Sequence, residues 1–381
     1  MSNHQIHADD RLVRAFAQSM ERFLLRLEQS HQGPWTPAPV VVAVSGGADS
    51  MAMACLFARC DSFGGRPNRW HLTFVQHGLR GAESVEDERF LRASINLWSR
   101  FKNPPLSIAI VPGVPATGWP KGSYEATART ARYAALQSHA AMVGACAIAT
   151  AHTLEDQAET VLLRLMRGTG LSGLRSIRPI RRPLTQSENV PILRPLLHQK
   201  RTQLRQWLAS HSIPWREDSS NQLLVPDRNF IRHRILPLLL ERWGDRGPVF
   251  LARLGREAAR WAEIHQRELD RQIQDMEMPR AGRRVVWHLA KAKIKRTNRL
   301  ADCLHRLWQR EHWPMIDWST VRFRRLARFI RGRGPLEGMP GGWSIYLDEH
   351  VVRFDPPHDI PVKSGGIGIT GSATTETGLE R

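Results

Sequence analysis

Cysteine is scarce in this chain: only Cys55, Cys60, Cys146 and Cys303, none in the close pairs that bind zinc or an iron–sulfur cluster. So sparse a set excludes a small disulfide-stapled fold and fits a reducing compartment. Long apolar runs are missing as well. No stretch reaches the roughly 20 residues that cross a bilayer. The start, MSNHQIHADD, lacks the apolar core of a secretory leader, so a cytoplasmic protein without membrane contact is expected. Internal repeats are absent, and nothing calls for an obligate protein partner. Acidic residues fall short of their counterparts, with 36 Asp and Glu against 55 Lys and Arg, a net charge of +19. That excess repels itself in a compact state, so a polyanionic partner is expected. The charge is concentrated, because residues 280–333 hold 16 Lys/Arg and only 3 Asp/Glu.

What is present reads as alternating strands and helices. Leu12, Phe16, Met20, Phe23, Leu24 and Leu27 make one stripe of an amphipathic helix over 10–30. A Gly-Pro connector (33–39) leads to Val40-Val41-Val42-Ala43-Val44, a β-branched run typical of a buried parallel strand. Strands are predicted at 72–76, 106–111 and 145–151, and helices from about 50, 82 and 124, and over 155–167. The alternation implies an α/β fold, a parallel twisted sheet with helices on both faces. A smaller, mainly helical C-terminal domain follows. The expected division is an N-terminal helical extension (1–38), a catalytic domain (39–240), a helical linker (241–279), a basic helical domain (280–355) and a disordered Gly/Ser/Thr-rich tail (356–381).

The densest motif is Ser45-Gly46-Gly47-Ala48-Asp49-Ser50, directly after the first strand. Glycines permit a tight turn and close backbone approach to a ligand. The helix that follows offers unpaired N–H groups and the positive end of its dipole, which suit phosphate. Asp49 is a candidate to hold Mg²⁺ on those phosphates. No Gly-Lys-Ser/Thr closes the loop, so it is not a Walker A motif. A second constellation begins at His152, at a strand's carboxyl end, with Asp156, Glu159 and Thr160 at helical spacing on one face. Such a carboxylate pair could hold an ammonium, position Mg²⁺, accept a proton, or simply favour the helix N-terminus. Arg129 and Arg132 share a helix face with Glu125 one turn earlier.

The SGGADS loop resembles the signature of the PP-loop ATP pyrophosphatase superfamily, which cleaves ATP between the α and β phosphates to activate an oxygen as its adenylate. Further blocks resemble the tRNA(Ile)-lysidine synthetases: His77-Gly-Leu-Arg80, Glu125-Ala-Thr-Ala-Arg129-Thr-Ala-Arg132-Tyr133, Ala151-His152 through Asp156-Gln-Ala-Glu159-Thr160 to Arg167-Gly-Thr-Gly170, Arg194-Pro-Leu-Leu197, Glu217-Asp218-Ser-Ser-Asn221 and Arg228-Asn-Phe-Ile-Arg232. They run in order across about residues 38–240. The resemblance implies ATP binding by residues 45–50 and His77. It places the lysine or Mg²⁺ site at Asp49, His152, Asp156 and Glu159. It assigns phosphate or tRNA contacts to Arg80, Arg129, Arg132, Arg167, Arg194, Arg228 and Arg232. The implied substrates are ATP with Mg²⁺, free lysine and an isoleucine tRNA with a CAU anticodon. Glu155 stands where the family has aspartate, and Gln76 where it has the first of two histidines.

Other functions fit less of the chain. A tRNA thiolase of the same superfamily would need reactive cysteines that the spacing does not offer. A small-molecule ligase would leave the basic 280–333 segment without a role. A tRNA-binding protein with decayed activity would not need an intact loop. Within 280–333, Trp287, Trp308, Trp313, Trp318 and Phe323 are expected mostly as core, with the arginines and lysines neutralising RNA phosphate.

Overall fold

The computed structural model describes residues 3–29, 38–76, 82–94, 98, 100–113, 124–183, 190–216, 227–279, 284–291, 294–316, 318–335 and 343–357. They form two compact units, Met1–Ala259 and Arg260–Arg381.

The first unit opens with helix α1 (Asn3–Glu28), whose stripe Leu12, Phe16, Met20, Phe23 and Leu24 is buried. Each such large side chain, fully buried, contributes about 1.5–3 kcal/mol. Strand β1 (Val40–Val44) and helix α2 (Ala48–Arg59) follow. A short hairpin, β2 (Ser62–Phe63) with β3 (Arg66–Pro67), then leads to β4 (Trp70–Gln76). Next come α3 (Ala82–Ala93), β5 (Ile108–Pro112), α4 (Tyr124–Met142), β6 (Ala147–Ala149) and α5 (Leu154–Met166). Two minimal strands, β7 (Ile180–Arg181) and β8 (Ile192–Leu193), precede α6 (Arg201–Ser210). Helices continue with α7 (Asp227–Phe230), a π-helical turn (Ile231–Ile235) and α8 (Leu236–Trp243), and α9 (Arg246–Met276) runs through most of the 241–279 segment expected as a linker.

Six strands form one sheet in the order β5-β4-β1-β6-β8-β7, parallel except where β7 runs against β8. Both faces are covered, as the β-branched runs require. Val40, Val42 and Val44 point to the side packed by α1, α2 and α6, while Val41 faces Leu136 and Ala140 of α4. That alternation is the strand's period of two. The chain steps outward from β1 to β4 and β5, then returns on β1's other side with β6 and β8. The order therefore reverses between β1 and β6, and ligands of such sheets bind in the crevice at that point, at the strands' carboxyl ends.

A further apolar cluster fixes what overhangs α5. Ala158 and Val161 of α5 pack with Ile231, Leu236, Leu251 and Ala258. Gly255 of α9 permits this contact: a Cβ there would lie 2.6 Å from the Val161 side chain and 2.9 Å from the Ser176 backbone nitrogen.

The second unit contains α10 (Thr297–Arg310), α11 (Thr320–Ile330) and an antiparallel sheet ordered β10-β11-β9, built from β9 (Val285–His288), β10 (Ser344–Asp348) and β11 (Val351–Asp355). The sheet adds to the helices expected there. Trp287, Trp308, Trp313, Trp318 and Phe323 are all buried in its core, where Trp308 meets five other aromatic rings edge-on or tilted. They are core residues and offer no face to a base. Helix α11 buries Phe323, Leu326, Ala327 and Ile330 and exposes Arg324, Arg325 and Arg328. Among the described residues, no helix is long and apolar enough to cross a membrane.

Candidate active site

The loop after β1 is held by its own serines. Ser50 Oγ accepts the Ser45 N–H at 3.1 Å and donates to the Gly47 carbonyl at 2.9 Å. Gly46 sits at φ +82°, a conformation that a side chain would strain. The Arg216 N–H donates to the Gly46 carbonyl at 2.9 Å and anchors the turn from outside. Helix α2 starts at Ala48, so its first-turn N–H groups lack intrahelical acceptors. Asp49 lies in that turn. Its Oδ2 accepts from Arg201 Nε at 2.9 Å, while Oδ1 is buried with no hydrogen-bond partner. Burial raises the Asp49 pKa against the pull of Arg201, and the negative charge of Asp156 raises it further.

The strand neighbouring β1 leads into the second constellation. After β6, the His152 Nδ1 lies 3.1 Å from Thr150 Oγ1. Burial pushes the His152 pKa down to about 3, Asp156 opposing and Arg194, Arg228 and Arg129 assisting, so the ring is neutral near pH 7. Thr153 then caps α5 with Asp156: the Thr153 N–H donates to Asp156 Oδ2 at 2.8 Å. The capping role weighed for Asp156 is thus real, and it occupies one oxygen only. Glu155 takes the Arg201 backbone N–H on both oxygens, at 3.0 and 3.1 Å, and so caps α6.

Three guanidiniums converge on the remaining carboxylate oxygens. Arg228 donates to Glu159 Oε2 at 2.8 Å and to Asp156 Oδ1 at 3.1 Å. Arg232, one turn on, donates to Glu159 Oε1 at 2.7 Å and to Asp156 Oδ1 at 3.1 Å. Arg201 bridges Asp49 and Asp156 and comes within 3.7 Å of Glu159. Burial alone would raise the Asp156 pKa, but Arg201, His152, Arg228 and Arg232 together hold it well below the usual carboxylate range. Asp49, Asp156 and Glu159 thus face three arginines in a charge-balanced cluster. Ile231, buried between Arg228 and Arg232 in sequence, is the apolar peg that seats their helix on α5.

The structure brings together Ser45, Gly46, Gly47, Ala48, Asp49, Ser50, Asp156, Glu159, Arg228 and Arg232, with His152 alongside. Arg228 and Arg232, expected on phosphate, are engaged with carboxylates. Arg194 is buried near His152, and Arg129 is exposed with its guanidinium over the Tyr133 ring. Arg132 is exposed on α4. Arg167 caps the far end of α5, eleven residues beyond Asp156, or roughly 16 Å along a helix axis. His77, Arg80 and residues 217–221 lie outside the described residues, as does the side chain of Glu125. Sequence reasoning missed Arg201, which is 152 residues from Asp49. Its one local signal is its place at the start of a helix after the Arg194-Pro-Leu-Leu197 block.

A family model described as a PP-loop domain matches residues 16–239. The chain is 39% identical over 210 residues to the tRNA(Ile)-lysidine synthase of Symbiobacterium thermophilum, covering 54% of this chain and 40% of that protein. It is 42% identical over 207 residues to the enzyme of that name from Thermus thermophilus, covering 54% and 36%. With that of Chlorobaculum tepidum it shares 37% identity over 227 residues, covering 59% and 64%. In each case the match spans less than two thirds of the relative's own length.

Proposed function

The chain belongs to the PP-loop domain family, and on that premise we propose that it joins lysine to a transfer RNA base at the expense of ATP. In the proposed reaction ATP adenylates the C2 oxygen of the wobble cytidine in the CAU-anticodon isoleucine tRNA and pyrophosphate leaves. The ε-amine of free lysine then forms a bond to C2, and the C2–O bond breaks to release AMP and give lysidine. The proposed setting is the cytoplasm. The observation that carries this reading is the juxtaposition, where the strand order reverses, of the SGGADS loop with the buried carboxylates Asp156 and Glu159.

Each part has a physical basis. The loop backbone and the α2 N-terminus suit the phosphates of ATP. Mg²⁺ fits here, because Asp49 keeps one buried oxygen without a partner, the hard donor such an ion takes. When bound there, the ion would neutralise phosphate charge. The lysine ammonium carries one positive charge, and the only buried carboxylates of α5 already hold guanidiniums. Lysine binding on Asp156 and Glu159 therefore requires a guanidinium to yield. Arg228 and Arg232 are the candidates, and the tRNA backbone is a polyanion able to receive them. A neutral His152 adds no competing charge where a cation must sit. The ammonium must lose a proton before attack, and the same carboxylates are the nearest acceptors.

Thiolation fits poorly. Burial pushes the thiols of Cys55 and Cys303 up to about 12 and those of Cys60 and Cys146 up to about 11, so none is poised as a thiolate. The test is a reaction of purified protein, ATP, Mg²⁺, radiolabelled lysine and the CAU isoleucine tRNA. Label should enter the tRNA with one AMP and one pyrophosphate formed per lysine. Pyrophosphate without label would remove lysine as the nucleophile, and no turnover would overturn the reading.

A further inference from the structure

Arg201 opens α6 and touches both helices that carry the halves of the site. Leu204, Trp207 and Leu208 of α6 are buried in one core with α2, and both Glu155 oxygens hold the Arg201 N–H to the start of α5. With its backbone fixed in this way, the residue has only its side chain left to move. The three side-chain nitrogens meet three carboxylates. Nε donates to Asp49 Oδ2 at 2.9 Å, a full hydrogen bond. The reach to α5 is looser, at 3.4 Å to Asp156 Oδ1 and 3.7 Å to Glu159 Oε1. Arg232 holds those same two oxygens at 3.1 and 2.7 Å. Burial opposes the Arg201 charge, but Asp156, Asp49 and Glu159 together raise its pKa above the usual arginine value, so it stays a cation.

The guanidinium is therefore divided, bonded to the loop carboxylate and held just short of the α5 pair. Asp49 Oδ1 is buried without a partner, while its other oxygen is taken by Arg201. A metal ion brought to Asp49 by a nucleotide draws on the same single negative charge as the guanidinium and repels it. A shift of roughly half an ångström is enough to turn the loose contacts with α5 into hydrogen bonds.

We infer that Arg201 is a positioning residue that orders the two half-reactions, bonded to Asp49 until a metal-bound nucleotide arrives and to Asp156 and Glu159 while it stays. With ATP bound, the guanidinium keeps the lysine ammonium off the carboxylate pair. Once pyrophosphate has left, Arg201 returns to Asp49, and the pair takes the amine only after the base has been adenylated. This ordering rests on the Mg²⁺, nucleotide and lysine reading above.

The test measures binding of α,β-methylene-ATP, which cannot be cleaved between those phosphates, to the full chain in wild-type and Arg201→Gln forms. Each titration is made in Mg²⁺ and again in EDTA, and melting temperature is recorded. Loss of a competitor from Asp49 predicts that the gain in affinity given by Mg²⁺ is about tenfold larger in Arg201→Gln than in wild type. A residue that only supports the fold, or that grips phosphate, weakens both titrations alike, and an unchanged or smaller gain overturns the inference. If Arg201→Gln is too unstable to titrate, Arg201→Lys replaces it with the same predicted direction, because an ammonium keeps the charge but lacks the fork that bridges two carboxylates. A second titration follows lysine with the CAU isoleucine tRNA bound. Wild type should bind lysine about tenfold more weakly when Mg²⁺ and the analogue are present, and the variant should lose most of that difference. An equal difference in both forms overturns the ordering. If lysine binds neither form, the lysidine reading fails, and the nucleotide titration alone decides whether Arg201 gives up Asp49.

Discussion

Arg228 and Arg194 both act on His152, yet the two are held on opposite principles. Arg201, Arg228 and Arg232 face Asp49, Asp156 and Glu159, every guanidinium on at least one carboxylate. Arg194 is also deeply placed, yet it donates to the Arg178 carbonyl and its Nε is buried without a hydrogen-bond partner. The first group is balanced and can take a new cation only by giving one up.

Breaking the balanced group should have the largest effect. Glu159→Gln removes a fully buried charge and leaves guanidiniums facing each other, so the fold should lose about 3–5 kcal/mol in urea unfolding. A loss below about 1 kcal/mol would mean that the cluster is solvated. Asp49→Ala should cut tRNA-dependent pyrophosphate release by on the order of 10²–10³ while leaving tRNA affinity near wild type. An active Asp49→Ala enzyme would remove the loop from the chemistry. Gly255→Ala sharpens the comparison from beneath, because its Cβ would press on Val161 and the Ser176 backbone that support the cluster. A destabilisation of about 1–3 kcal/mol is expected on thermal melting, and none would show that α9 can shift freely.

A pH-dependent effect reads the field around His152. The folded-state pKa of His152 is depressed to about 3, whereas an unfolded histidine titrates near 6.5. Between those values the unfolded chain binds the extra proton, so stability falls as pH falls through that window and levels below about 3. His152→Asn should remove about one proton from that slope, or roughly 1.4 kcal/mol per pH unit. The depressed pKa of Asp156 acts lower, its contribution present above the unfolded carboxylate value of about 3.9 and lost beneath it. An unchanged slope near pH 5 in the variant would mean that His152 is protonated in the fold.

Much of the sheet was legible because β-branched runs such as Val40–Val44 repeat over enough residues to declare themselves. β7 and β8 were not: each has two residues in an Arg- and Pro-rich stretch, and they are strands only through pairing with each other and with β6. The stripe of α1 was visible, but not that Phe16 would pack edge-on to Phe57 of α2 in the same core as the sheet. In the site, residues on one helix could be grouped by spacing, which gave Asp156 and Glu159. Their three arginine partners come from α6, α7 and the π-helical turn, a convergence that local periodicity does not encode. Glu155 shows the same limit, since its role as the cap of α6 depends on a helix 46 residues away.

The most direct test of the proposed chemistry follows one oxygen atom. CAU isoleucine tRNA carrying ¹⁸O at C2 of the wobble cytidine would be turned over with ATP, Mg²⁺ and lysine, and the AMP analysed by mass. Adenylation of that oxygen followed by amine attack at C2 predicts one ¹⁸O in the phosphate of AMP for each lysine incorporated. AMP free of the label would contradict an adenylated cytidine and, with it, the assignment of the loop and the carboxylate cluster to successive halves of one reaction.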